Sequence, residues 1–198
     1  MDIASRVQQI ILKPKEEWVK IKEEKTTLAE LFTSYAMIVA AVPAVAQFIG
    51  FSLVGRSIPF VGWYRMGIGR GLLLAILFYV FTLVSAYVAG IVINALAPTF
   101  SSRSDATNAM KLAVYTMTPA WVAGILYIVP FLGILVWIAG LYGIYVLYLG
   151  FACPMMETPK DKIVGYLVVS IVVIAILWVI AAVILGAIFA VGGMYTAT

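Results

Sequence analysis

The chain has 198 residues, 64% of them hydrophobic and 11% charged, with a formal net charge of +4. Soluble domains carry about 25% charged residues, so a soluble globular fold is excluded. The chain has no histidine, the commonest general base and metal ligand, and its single cysteine, Cys153, excludes an intrachain disulfide.

Four uncharged runs, 31–55, 71–102, 112–156 and 163–198, make up most of the sequence. What remains between them is too short for a second domain. Residues 1–30 are charged and lack the apolar core of a signal peptide. They are therefore read as an N-terminal cytoplasmic amphipathic segment, followed by a five-span membrane domain over 31–198.

In the N-terminal segment, Ile3, Val7, Ile10 and Ile11 share one helical face. Pro14 breaks that helix or opens the next turn. Trp18 and Ile21 are the apolar positions of the charged stretch 15–25, and Trp beside lysines suits the headgroup region. Residues 1–33 hold six basic and six acidic side chains, which by count is no polybasic lipid-binding cluster. Removal of residues 1–25 is expected to leave the bundle inserted.

Thr27 and Glu30 have the spacing of a capping box. The first span then covers about 31–54, with Pro43 as a kink and Gln47 as its polar interior group. The loop 55–70 carries Arg56, Arg65 and Arg70 with Pro59, Trp63 and Tyr64, and reads as an external loop or a shallow re-entrant segment. Its Gly67-x-Gly69-x-Gly71 spacing lacks a preceding strand, so glycine in a flexible loop is preferred to a phosphate site. The second span covers about 71–97, with Asn94 near its end and Ala86 and Gly90 as a small-residue contact face. Ser104 or Asp105 caps the helix after the next loop.

As a single helix, 112–156 would be about 68 Å long at 1.5 Å per residue, against a hydrocarbon core about 30 Å thick. It must cross twice, turning at Pro130-Phe131-Leu132-Gly133, which gives spans at about 112–129 and 133–153. Pro154 ends the fourth span. The fifth covers about 163–191, with Gly186 and Ala190 as another close-contact face. The fold class is all-α: a polytopic helical bundle of five transmembrane helices behind a short amphipathic segment. With five spans, ten Lys and Arg fall on the N-terminal side and three on the other, placing the N-terminus in the cytoplasm and the C-terminus outside.

No ionisable residue falls in the middle of a predicted span, which argues against a proton relay or ion site. The acids cluster in the N-terminal segment and the fourth loop, no metal-ligand spacing occurs, and Cys153 has no histidine to activate it. Neither catalysis, a cofactor, a metal nor a nucleic-acid partner is expected. Gln47, Asn94 and the tyrosines are the available polar lining for a solute path. The small-residue faces serve contacts within one chain or between copies in a homo-oligomer.

Four stretches carry a family resemblance: Ile11-Leu12-Lys13-Pro14-Lys15-Glu16-Glu17-Trp18; Tyr115-Thr116-Met117-Thr118-Pro119-Ala120-Trp121; Gly140-Leu141-Tyr142-Gly143-Ile144-Tyr145 through Tyr148-Leu149-Gly150; and Thr158-Pro159-Lys160-Asp161-Lys162 followed by Gly165-Tyr166. In order and spacing they resemble the Yip family, five-span proteins named for interacting with Ypt/Rab GTPases, and more closely its prokaryotic branch. The resemblance implies a cytoplasmic N-terminus and an outward C-terminus. The Asp-Leu-Tyr-Gly-Pro motif of eukaryotic members is absent, and Val114 stands where their Gly-Tyr-x-x-x-Pro motif has glycine. The expected role is that of a non-enzymatic protein, in a prokaryotic inner membrane, that organises membrane or recruits partners. Membrane lipids, a second copy and a cytoplasmic protein held through residues 1–30 are the candidate partners. The alternative is a channel or transporter for a small neutral or lipid-like solute.

Overall fold

The computed structural model describes residues 2–58, 62–153 and 155–195, with the backbone alone for 56–58, 130 and 181–195. Pro59, Pro154 and the side-chain surroundings of Gly186 and Ala190 lie outside the described residues. Two short helices lead the chain. In α1 (Ile3–Leu12) the Asp2 carboxylate accepts from the Ala4 and Ser5 amides at 3.3 and 3.2 Å. α2 (Pro14–Glu23) begins after one intervening residue with Pro14, whose missing N–H costs nothing in the first turn. Glu16 and Glu17 in its first turn and Lys20 and Lys22 in its last match the helix dipole.

Among the described residues, five helical segments are long and apolar enough to cross a membrane: Leu28–Val54, Ile68–Phe100, Ala106–Ile128, Gly133–Ala152 and Ile163–Ile180. The first, α3 (Leu28–Val54), opens on the capping box. The Thr27 hydroxyl accepts from the Glu30 amide at 3.2 Å, and the Glu30 carboxylate accepts from the Thr27 amide at 2.9 Å. Pro43 sits inside α3, and the hydrogen bonding widens to π turns over Phe32–Ala36 and Ile49–Val54. A small antiparallel hairpin, β1 (Arg56–Ile58) and β2 (Gly62–Tyr64), fills the first loop with Arg56 opposite Tyr64. The second span is α4 (Ile68–Leu96), closed by the 3₁₀ turn Ala97–Phe100.

The third span is broken. α5 (Ala106–Thr116), capped by Asp105 through the Asn108 amide at 3.0 Å, gives way at Met117 to α6 (Thr118–Ala123) and a 3₁₀ stretch, Gly124–Ile128. Pro119 is the cause: with no N–H it cannot donate back to the preceding turn. After the turn Pro130–Leu132 come the fourth span, α7 (Gly133–Ala152), and the fifth, α8 (Ile163–Tyr195).

This broken span is the most buried of the five. Every residue from Ala109 to Tyr115 is buried, so the other elements are arranged around it. α5 starts six residues before the uncharged run and takes Lys111 into the helix. By contrast, Leu72, Ile76, Val80, Val84 and Ile91 of α4 lie exposed, as lipid-facing side chains must. The second and fourth loops are joined. The Arg103 amide donates to the Met156 carbonyl at 2.8 Å, the Ser102 hydroxyl to Thr158 at 2.9 Å, and the Lys162 ammonium to Ser101 at 2.6 Å.

At the opposite end, Gly50 of α3 is pressed against the backbone of Tyr127 and Ile128. A β-carbon there would run into the Tyr127 carbonyl oxygen, which cannot turn away as a side chain can. Gly50→Ala is therefore expected to cost about 1–3 kcal/mol through overpacking. Thermal unfolding in detergent checks it: a fall in Tm of several degrees is expected, with Gly69→Ala, where a β-carbon meets open space, as the neutral control.

Candidate functional site

The buried stripes of α1 and α2 carry charges as well as apolar side chains. Arg6 and Ile10 are buried on α1, and Pro14, Glu17, Trp18 and Ile21 on α2. The Arg6 side chain, 1% exposed, binds both Glu17 and Glu24 through separate guanidinium nitrogens. Lys20 approaches the other Glu17 oxygen at 3.1 Å from the exposed side. Arg6 also lies over the ring of Tyr115, its Cζ 5.6 Å from the centroid.

From the bundle, Lys111 of α5 meets the end of α2. Its ammonium, in a residue 2% exposed, donates to the Ile21 carbonyl at 2.9 Å and the Glu24 carbonyl at 2.6 Å. These carbonyls at the α2 C-terminus lack helical partners, and a cation there also opposes the negative end of the helix dipole. Arg6 and Lys111 thus face Glu17 and Glu24, two cations for two carboxylates, within one enclosed region.

Trp18 is fully buried, and its indole N–H donates to the Val146 carbonyl of α7 at 2.9 Å. Gly150, one turn further on, leaves room for the indole: a β-carbon there would lie 3.0 Å from the ring and closer still to Leu112. Trp18 meets Tyr115 edge-on at 6.2 Å, and Tyr115 meets Tyr35 at 4.8 Å. The Tyr35 and Thr118 hydroxyls share a hydrogen bond at 2.8 Å at the break in the third span. On the other flank, the Tyr142 hydroxyl donates to the Ile11 carbonyl at 2.8 Å, which anchors the end of α1. The pair α1–α2 is thus held into the bundle rather than left beside it. Its apolar stripe supplies part of the core.

The sequence candidates fall into three groups. Pro14, Trp18, Tyr115, Tyr142 and Gly150 meet in this clasp, with Pro119 at the helix break behind it. Trp121, also beyond the break, donates its indole N–H to Thr82 at 3.2 Å, and Tyr145 lies exposed beside Tyr142 at 5.7 Å. Gly165 and Tyr166 belong to a second cluster, in which Tyr166 stacks on Phe100 at 4.9 Å and its hydroxyl donates to the Ile93 carbonyl. Pro159 closes the turn leading into it, its carbonyl accepting from the Lys162 amide at 2.9 Å. Gln47 and Asn94 are not brought together. Gln47 lines a groove of about 580 Å³ with Phe51, Met66, Leu74, Phe78 and Phe81, and Asn94 lies further along α4, beyond the groove. The amide oxygens of both are buried without a hydrogen-bond partner.

Arg6, Glu17, Glu24, Lys111, Tyr35 and Thr118 were not singled out by sequence reasoning. Two carried a signal: Arg6 falls on the Ile3–Ile10 stripe and Glu17 on the Pro14–Ile21 stripe. A charge on an apolar stripe is a buried charge awaiting a partner. Among the described residues no group of His, Cys, Asp and Glu could hold a metal ion. Beyond the end of α7, burial pushes the Cys153 thiol above its ordinary pKa, with the Lys22 ammonium opposing in part. That is the reverse of an activated thiol.

Removing one partner from a buried ionic cluster costs about 3–5 kcal/mol because the other charge is left uncompensated. Arg6→Met is therefore expected to undock α1–α2, seen as rapid trypsin cleavage after Lys15 and Lys20. Trp18→Phe, which keeps an aromatic ring but loses the N–H and part of the indole, should cost about 2 kcal/mol, less than Arg6→Met, and leave these sites better protected than in that variant. Equal protection in all three proteins would contradict the clasp.

The Yip1 domain family model matches residues 9–183 of the chain. The chain is 30% identical over 153 residues to the inner membrane protein YohC of Escherichia coli K12, covering 74% of this chain and 76% of that protein. The YohC protein of Escherichia coli O6:H1 matches to the same extent. No solved structure matches. The matched region takes in α2, the broken third span and the loops that knit the bundle, and the chain belongs to the Yip1 domain family.

Proposed function

We propose that the protein is a non-enzymatic component of a prokaryotic inner membrane that organises membrane or recruits partners through its docked N-terminal helices. One observation carries this reading. The buried Arg6, Glu17 and Lys111 and the half-buried Glu24 bind one another or backbone carbonyls that hold α1 and α2 in place. Such groups act as structural ties, with no carboxylate or amine left over in the clasp for proton transfer. The inner-membrane placement follows its relatives, which are inner membrane proteins. The cytoplasmic N-terminus follows the lysine and arginine distribution. Cysteines introduced at Lys15 and Trp63 in a Cys153→Ser background report the orientation. A membrane-impermeant maleimide added to whole cells should label position 63 and spare position 15, and the reverse would invert the topology.

A second reading, passage of a small neutral or lipid-like solute, is favoured by the groove at Gln47 and by the broken third span, since transporters often bind at interrupted helices. Reconstituted vesicles decide between the two. The first reading expects glycerol flux and lipid scrambling equal to those of protein-free vesicles. Flux above that level, reduced by Gln47→Leu, would replace it with the second.

A further inference from the structure

Residues 1–33 hold six acidic and six basic side chains, but the fold does not display them equally. Glu17 turns inward to Arg6, which also binds the half-buried Glu24, while Asp2 and Glu30 cap helices outside the stretch 13–25 and stay exposed. Lys13, Lys15, Lys20, Lys22 and Lys25 remain exposed, with only Glu16 and Glu23 exposed among them. Lys20 meets a carboxylate already neutralised by Arg6. Over residues 13–25 the exposed side chains are therefore mainly basic, five lysines against Glu16 and Glu23, although the segment is neutral by count.

The same contacts fix where these side chains lie. Ile11 is level with Tyr142 of α7, and Trp18 with Val146 and Gly150. α2 thus runs alongside the second half of α7 rather than beneath its end. Tyr142 is ten residues, about 15 Å, from the last residue of α7. A helix on the flank of a span meets the lipids around the bundle. On that flank Leu12 is 67% and Val19 50% exposed, apolar side chains facing lipid, while the later lysines lie nearer the end of α7 and the headgroup boundary.

We infer that the outer side of α2 binds the anionic phospholipid headgroups of the surrounding bilayer through Lys15, Lys20, Lys22 and Lys25, whose long stems let the charges reach toward the end of α7. Leu12 and Val19 face the lipid beneath them. The inference deepens the proposed function by naming a partner, and rests on it for placing α1–α2 at the membrane. Lysines near an anionic surface each add to binding, and salt weakens the attraction.

The test uses the full chain in neutral detergent, incubated with phosphatidylglycerol or phosphatidylcholine and read by native mass spectrometry. The wild type should retain phosphatidylglycerol in preference, less so as salt is raised. Lys15, Lys22 and Lys25 have no ion pair among the described residues. Changing all three to Gln should lower phosphatidylglycerol retention roughly a hundredfold with Tm unchanged. Glu16→Gln with Glu23→Gln should raise retention, which decides the matter if the triple variant fails to fold. Equal retention of both lipids, or variants that match the wild type, overturns the inference. So does capture of soluble polyglutamate with no lipid preference, which would assign the face to an acidic protein. None of these results bears on the flux assay, so the membrane-organising reading stands or falls separately.

Discussion

The structure depends on Arg6 being shared between Glu17 and Glu24. Taking a guanidinium and carboxylates out of water costs several kcal/mol per ion. The arrangement persists because its partners come from three places in sequence: α1, α2, and the strand of chain leaving α2. Lys111 then ties the far end of α2 to the central span. Remove the pairing and the apolar stripe of Ile10, Trp18 and Ile21 loses its register against α7. The network thus acts as a specificity device, allowing one way for two short helices to dock.

The same logic explains why the third span is broken where it is. An unbroken helix would satisfy its own backbone, but Pro119 removes a donor and the chain tightens into shorter helical pieces. Lipid tails cannot hydrogen-bond the freed groups, so such a break is tolerated only inside protein. Accordingly the third span sits at the centre, with α3, α4 and α7 around it. Tyr35, Thr118 and Thr82 supply polar contacts near the break. The lead helices turn their buried stripe toward this central element and α7, and Ile10, Trp18 and Ile21 join the same core cluster.

Much of the architecture is legible in the sequence. The span count follows from uncharged runs long enough to cross, and the hairpin turn from Pro130 and Gly133. The cap at Thr27 follows from its spacing to Glu30. The site is less legible, for a physical reason. Pro14, Trp18, Tyr115, Tyr142 and Gly150 stand out as motif residues, yet nothing local says they converge. Their contacts join positions more than a hundred residues apart, as from Trp18 to Val146. Charge was the more misleading signal. Counting six against six hides which side chains face inward, since that depends on the helix stripe and on a partner, Lys111, far along the chain. The periodicity of α1 and α2 held the missing information, because Arg6 and Glu17 occupy positions an apolar face should fill.

The central claim is that the N-terminal helices are part of the folded core. Hydrogen exchange read by mass spectrometry on the full chain in nanodiscs tests it most directly. Backbone amides within 6–12 and 17–23 should exchange as slowly as those of α5, because the docked helices open only with the bundle. Exchange within seconds over both segments, with α5 still protected, would show the helices to be undocked in the membrane and would contradict the account.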